Sequence, residues 1–472
     1  MFLKKFSPSL YQTVEQPEKL SPQEEPYYIF IIFAMMKRTA LIITLLAGSL
    51  FLAGCGYRAP LYQSYIPEVK DTTVYPGVRP AYKELAALLE KDTQMGPTQG
   101  NSVTLLPEGP IKWNVLKEDL EYADKSIYID HYRFCTDSAG IIVEDILREK
   151  AREGVDVRII LDKPANKKEH LQELATLKKD GVELDLFRRP VMLLDHVGAN
   201  LATHRDHRKI LLIDGQIGYL GGRNIQYEYF FNWRDADLRI VGPAVADLSA
   251  VYMENQERVA PQLKPIYVEK DLKKAAQMDN LPELKQFTDV TVQIIPDSPD
   301  DKVLPLRNGF EWALYSAKKY FWFYNPYTPP PASTLQALKD AAIRGVDVRW
   351  IVPDNNDVEI MKGMGESMYK DLLEAGVRIY EWLGPVMHAK QFMMDDYLLG
   401  VGSANMDNLS FFLNYEVMAL VYDERTTRHA AQTFAAELEK NCVEITLEDV
   451  RKWNVFRKLR NWVVRFLAGY MT

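Results

Sequence analysis

One spaced set of residues occurs twice in this chain: His207-x-Lys209-x4-Asp214-x6-Gly221-Gly222-x-Asn224 and His388-x-Lys390-x4-Asp395-x6-Gly402-Ser403-x-Asn405, offset throughout by 181 positions. Duplication on this scale means a fold built from two similar units, each presenting the same polar set. The stretches before the motif repeat as well. Residues 123–134 resemble 317–328, a short β-branched or aromatic run after a helical stretch. Gly154-Val155-Asp156-Val157-Arg158 recurs unchanged from Gly345 to Arg349, each time between an amphipathic helix and an apolar run, and Gly181-Val182 and Gly376-Val377 close the next helices likewise. Helix, glycine, then buried strand is the connection of a parallel sheet. The expected fold class is α/β: two similar domains of β-sheet flanked by helices, at 101–261 and 289–442. A linker with Lys, Glu and Pro joins them at 262–288, and residues 55–100 read as an N-terminal tether.

Within each motif, residues 210–213 and 391–394 after the His-x-Lys, and 217–220 and 397–401 before the glycines, read as antiparallel strand pairs turning at Asp214-Gly215 and Asp395-Asp396. Strand alternation puts His and Lys, two apart, on one face. The glycine pair and Asn end the second strand beside them, where a missing side chain lets a substrate approach the backbone. Such a set suits a phosphodiester, which needs a nucleophile, a proton for the leaving alkoxide, and fixed positive charge around its non-bridging oxygens. Two histidines divide the first two tasks if one is held neutral and the other protonated. Lys209, Lys390, Asn224 and Asn405 supply the third. A carboxylate lies 28 positions after each histidine, Asp235 after His207 and Glu416 after His388. These are the expected orienting partners of the imidazoles, within or across halves. A formal net charge of −8 argues against a protein whose main partner is nucleic acid, and three cysteines make neither a disulfide scaffold nor a zinc array.

The doubled motif with its Gly-Ser-x-Asn tail resembles the phospholipase D superfamily, and within it the bacterial cardiolipin-synthase-like branch, over nearly all of 101–442; residues 123–134, Arg208, 233–241 and 403–417 add to the likeness. The resemblance implies two domains related by a pseudo-twofold, an active site at their interface, and a ping-pong reaction through a phosphohistidine, with no metal and no cofactor. Carried over by position, His207 is the nucleophile and His388 the general acid, later the base. Lys209, Lys390, Asn224 and Asn405 hold the phosphate, with Ser403 beside them, and Asp214 and Asp395 complete the catalytic motif as structural members. Two positions depart from the pattern: Gly222 stands where Ser is commoner, and Leu409 where this branch often has Arg. The implied function is phosphatidyl transfer from a phospholipid, phosphatidylglycerol, to an alcohol acceptor, giving cardiolipin if the acceptor is a second phosphatidylglycerol. The rival expectations are hydrolysis to phosphatidic acid, a nuclease, and a catalytically silent envelope protein.

Met36-Lys37-Arg38, an apolar stretch over 39–54 and then Cys55 have the layout of a signal peptide. Leu52-Ala53-Gly54-Cys55 resembles a bacterial lipobox, which implies cleavage before Cys55 and its acylation, and so a protein held on a membrane surface of the cell envelope. Gly56 resembles lipoproteins sent on to the outer membrane, facing the periplasm. Residues 1–34 fit no such signal, and translation is expected to begin at Met35 or Met36.

In the basic segment 443–472, Trp453, Phe456, Leu459, Val463, Phe466 and Leu467 fall on one helical face, Lys458 and Arg465 lie opposite, and Arg457 flanks them. That pattern suits either an anionic membrane interface or a helix docked on the core with a solvated basic face. His131 and Tyr327 are candidates to line the pocket, and Cys135 and Cys442 are the cysteines left to pair.

Overall fold

The repeat supplies the same strands in each half. In chain order the first half gives β1 (Thr98–Leu106), β2 (Ser126–His131), β3 (Asp156–Asp162), β4 (Glu183–Phe187), β5 (Arg205–Asp206), β6 (Lys209–Ile213), β7 (Ile217–Gly221) and β8 (Asp237–Val241). The second gives β9 (Gln286–Asp297), β10 (Tyr320–Tyr324), β11 (Asp347–Pro353), β12 (Arg378–Trp382), β13 (Gln391–Met394), β14 (Leu398–Gly402), β15 (Asn414–Tyr422) and β16 (Cys442–Ile445). This computed structural model describes residues 74–187, 204–269, 284–326, 330–355 and 359–469. Cys55, the lipobox stretch, Tyr327 and part of the linker lie outside them.

Read outward from the centre, the first half runs β1-β8-β7-β6-β2-β3-β4 and the second β9-β15-β14-β13-β10-β11-β12, with β16 added at the far edge. The orders coincide, as a pseudo-twofold requires, and an antiparallel β1–β9 pair joins both into one sheet. β2, β3 and β4 are parallel neighbours, as are β10, β11 and β12. All six residues of β2 are buried, as expected of parallel strands covered on both faces. Gly154 and Gly345, at φ +95° and +91°, end the helices Ser138–Arg152 and Ala332–Ile343 in the left-handed conformation that glycine adopts without strain, so the chain turns directly into β3 and β11.

The expected tether does not hold over its described part. Helix Lys83–Thr93 follows Tyr75 and Val78, and its Leu85 and Leu89 pack into the core of the second half with Phe310 and Leu314. β1 then begins at Thr98 and is central to the sheet. The reason is topological: β1 is the strand that joins the halves, so residues before it are drawn over the partner half. The C-terminal segment likewise starts as part of the sheet, since β16 pairs antiparallel with β12 at its edge.

The turns between β6 and β7 and between β13 and β14 carry Asp214 at φ 52° and Asp395 at φ 50°. The Asp214 carboxylate accepts the backbone N–H groups of Asp124, Lys125 and Ser126 at 3.1, 2.8 and 2.9 Å. Asp395 accepts those of Lys318, Lys319 and Tyr320 at 2.8, 2.7 and 3.0 Å. Both aspartates therefore stand at the end of their hairpin away from the histidines and pin the start of β2 and β10. Within the catalytic motif they are thus the structural members: they hold backbone and touch no reacting group. Asp214→Ala is expected to cost about 1–3 kcal/mol for each buried donor left unsatisfied. Urea unfolding would show that loss, while kcat per folded molecule stays unchanged.

Candidate active site

The backbone delivers each motif histidine to the opposite half. β5 lies parallel to the start of β15, pairing Arg205 with Asn414 and Asp206 with Tyr415, and the His207 N–H then donates to the Tyr415 carbonyl at 3.0 Å. In the other half Met387 bridges to Arg234, and the His388 N–H donates to the Arg234 carbonyl at 2.7 Å. Each histidine is thereby set beside the next residue of the facing chain, a carboxylate. Nδ1 of His207 lies 2.8 and 3.0 Å from the Glu416 carboxylate oxygens. Nδ1 of His388 lies 2.8 Å from Asp235. The pairs expected within or across halves are both crossed.

Charge follows from this burial. The side chains of His207 and His388 are 12% and 4% exposed, and both carboxylates 0%. Burial raises Glu416, but His207, Lys209 and the Ser403 hydroxyl outweigh it and hold it at about 2. Asp235 is held at about 2 in the same way, burial being outweighed by His388, Lys390 and Arg223. An ionised carboxylate at Nδ1 accepts a hydrogen bond from Nδ1–H and so keeps that proton on Nδ1, which leaves Nε2 of each imidazole as the working atom. Burial lowers His207 against the pull of Glu416, and Lys209 and Lys390 lower it further. Burial and Lys390 bring His388 down to about 4, against Asp235 and with Lys209 adding to the shift. Each lysine thus acts on the histidine of the other half, so the two motifs make one site. The surroundings do not by themselves hold one histidine neutral and the other protonated, since both favour the neutral form. Burial is the main cause and the two nearby ammonium groups add to it, a contribution that a bound phosphodiester anion would offset.

The strands begin at Lys209 and Gln391, so His207 and His388 lie just before β6 and β13 rather than on them. Lys209 donates to the His207 carbonyl. Nζ of Lys390 lies 2.8 and 3.0 Å from the two ring nitrogens of His388. Ser403 braces Glu416 at 2.5 Å, joined by Ser410 at 2.7 Å. Asn224 accepts the Arg133 N–H at 3.2 Å and lines, with Lys209 and His131, a void of about 10 Å³. Asn405 is buried and donates its own N–H to Ser410 at 3.0 Å.

The glycine pairs serve the neighbouring strand rather than the substrate. A Cβ on Gly221 would lie 2.5 Å from the Ala236 carbonyl, and one on Gly402 would lie 2.4 Å from that of Val417. Gly222 departs from the commoner Ser for a related reason: its Cβ would sit 2.1 Å from Oδ1 of Asp235. The shorter aspartate lies nearer its own backbone than Glu416 does and fills the place where Ser403 stands in the other half. Gly222→Ser is therefore expected to push Asp235 off His388 and lower kcat by about 10²-fold, as misplacement near 1 Å does. A Gly222→Ser variant as active as the unaltered chain would remove this account of the asymmetry.

Several site residues escape motif reading. The Tyr132 ring stands edge-on to His207 at 4.8 Å, and Tyr229 and Trp233 lie 5.3 and 5.7 Å from His388. The 181-position offset could have found two of these places, because it pairs Tyr229 with Ser410 and Trp233 with Asn414, a further donor to Glu416 at 3.4 Å. Lys112 is buried and bonds Asp237 at 2.6 Å, with Arg223 on the same carboxylate, a network that the motif does not announce. His131 lies opposite Lys209 on the adjacent strand, as a pocket-lining reading requires. Cys135 and Cys442 are free thiols.

The sequence profile of the family described as "Cardiolipin synthase, PLD-like domain" matches this chain at residues 116–256 and 312–438. A cardiolipin synthase of Clostridium perfringens is 30% identical over 420 residues, covering 87% of this chain and 85% of that protein. Cardiolipin synthase 2 of Staphylococcus epidermidis is 32% identical over 400 residues, covering 82% and 78%. Among solved structures, the phosphatidylserine synthase of Haemophilus influenzae shares the fold, with a TM-score of 0.60 at 15% identity over 82% of this chain and 97% of that one.

Proposed function

Because this chain belongs to the cardiolipin synthase family and is a phosphatidyltransferase of the phospholipase D superfamily, we propose that it makes cardiolipin from two molecules of phosphatidylglycerol. The observation that carries the reading is the crossed pairing of two histidines in one nearly closed site. Nε2 of His207 attacks the phosphorus of the donor. The P–O bond to the glycerol head group breaks, and that oxygen takes the Nε2 proton of His388. The acceptor hydroxyl then gives its proton to His388 and attacks phosphorus, breaking the P–N bond and freeing His207. Lys209 and Lys390, with Asn224 and Asn405, hold the non-bridging oxygens, point charges worth more in a dry cleft than in water. Low exposure of both histidines favours an alcohol over water as acceptor. The lipid surface on which this happens is that of an envelope membrane, the chain being tethered through Cys55.

Incubating the purified protein with phosphatidylglycerol and resolving the lipids tests this. Cardiolipin with free glycerol is the expected product. Phosphatidic acid alone would move the reading to hydrolysis, and unchanged lipid with cut nucleic acid would end it.

The charge of Lys209 gives a pH signature. Burial brings its ammonium down to about 7, against the pull of Glu416. A bound phosphate anion raises it again, so the affinity that this charge supplies is complete below pH 7 and falls as pH rises above it. KM for phosphatidylglycerol should climb from pH 7 to 9, and Lys209→Arg, always charged, should flatten the climb. A KM that is flat across this range in the unaltered chain would remove Lys209 from phosphate binding.

A further inference from the structure

We infer that the C-terminal helix is the face by which this protein lies on an anionic phospholipid surface, an inference that rests on the membrane-surface reading above and names the element responsible. Helix Val455–Gly469 packs on helix Glu359–Glu374, and it does so through its polar side. Arg457 donates to Glu366 at 2.9 and 2.8 Å, and the Asn461 side-chain amide donates to it at 3.0 Å, with Arg460 on the same carboxylate, which is 0% exposed. Val464 adds a contact to Met364. Five apolar side chains of the helix therefore point away. Val455, Phe456, Leu459 and Trp462 are 70%, 79%, 55% and 63% exposed, and Val463 is exposed beside them. Of the two alternatives that the amphipathic pattern allowed, docking on the core with a solvated basic face is reversed.

A run of large apolar side chains at one-turn spacing, turned to solvent by a buried polar anchor, is an interaction surface. Its charge says what kind. Residues 455–469 hold Arg457, Lys458, Arg460 and Arg465 and no acid, in a chain of net charge −8. Lys458 and Arg460 are exposed on either flank of the apolar stripe. A cleft of about 620 Å³ lined by Lys362, Arg457 and Arg460, with Asp354 and Glu366, opens beside Phe456. A second copy docked here would set Lys458 and Arg460 against their own counterparts. An anionic bilayer instead meets cations at its head groups and takes Phe and Trp into the acyl boundary, the arrangement of interfacial helices. The rest of this acidic chain is repelled by such a surface, so the helix also sets which side approaches it.

Fluorescence decides the matter. The full chain is bound to vesicles of phosphatidylglycerol and phosphatidylcholine with brominated acyl chains, which quench tryptophan on contact, and Trp462→Phe isolates the Trp462 signal. Trp462 should be quenched. The double variant Phe456→Glu, Leu459→Glu should lose that quenching and turn over vesicular phosphatidylglycerol about tenfold more slowly or worse, while dispersed short-chain phosphatidylglycerol is turned over as before. Trp462 emission indifferent to brominated lipid would overturn the inference, as would Trp462 becoming covered by self-association without lipid. Quenching needs no turnover, so it decides the docking face even where dispersed phosphatidylglycerol stays unchanged, the result that would remove the proposed reaction instead.

Discussion

His207→Ala and His388→Ala should each abolish cardiolipin formation, and a substrate with a good leaving group should separate their roles. Without His207 there is no nitrogen to take the phosphatidyl group, and no step proceeds. Without His388 the natural glycerol leaving group has no proton donor, a loss of about 10²–10⁴-fold. A nitrophenyl phosphodiester needs no such proton. With it, His388→Ala should release one nitrophenol per enzyme and then stop, because the base that activates the acceptor is missing, whereas His207→Ala should release none. A burst from His207→Ala would reverse the assignment. Cardiolipin formation surviving either change would contradict the two-histidine mechanism altogether.

The crossed carboxylates give the second large effect. Glu416→Gln removes the charge that fixes the Nδ1 proton of His207, and Asp235→Asn does the same to His388. Each should lower kcat by about 10²–10⁴-fold, the cost of a wrong tautomer and an unsupported imidazolium. The crossing makes the outcome specific. Glu416, in the second half, serves the first-half nucleophile, so Glu416→Gln should suppress the nitrophenol burst. Asp235→Asn should leave the burst and slow the turnover that follows. The opposite pattern, each carboxylate affecting the histidine of its own half, would sink the crossed arrangement. Both variants keep shape and burial, and unfolding curves close to that of the unaltered chain would show that the losses are chemical.

Much of this was legible because a repeat states its own register. The 181-position offset identified the histidines, lysines, asparagines and both carboxylates, and the Gly-Val-Asp-Val-Arg repeats placed β3 and β11. What spacing cannot convey is which half a side chain faces. The crossing depends on the two halves meeting through β1 and β9, a long-range pairing with no local signature. The same pairing draws helix Lys83–Thr93 over the second half, and a window ending near residue 100 reads it as tether. Gly222 shows a different limit: its reason is a clash with Asp235, visible only once the strands are side by side. The C-terminal helix shows a third. Periodicity found its two faces but not which one docks, because a single buried carboxylate, Glu366, captures the polar face.

The central claim is that the phosphatidyl group passes through His207. Labelling phosphatidylglycerol at phosphorus, quenching the reaction under alkaline conditions that preserve phosphohistidine, and mapping the peptides tests it directly. The label should sit on His207 alone and should chase into cardiolipin when unlabelled phosphatidylglycerol is added. Label on His388, or cardiolipin formed with no labelled peptide at any time in the turnover, would contradict it.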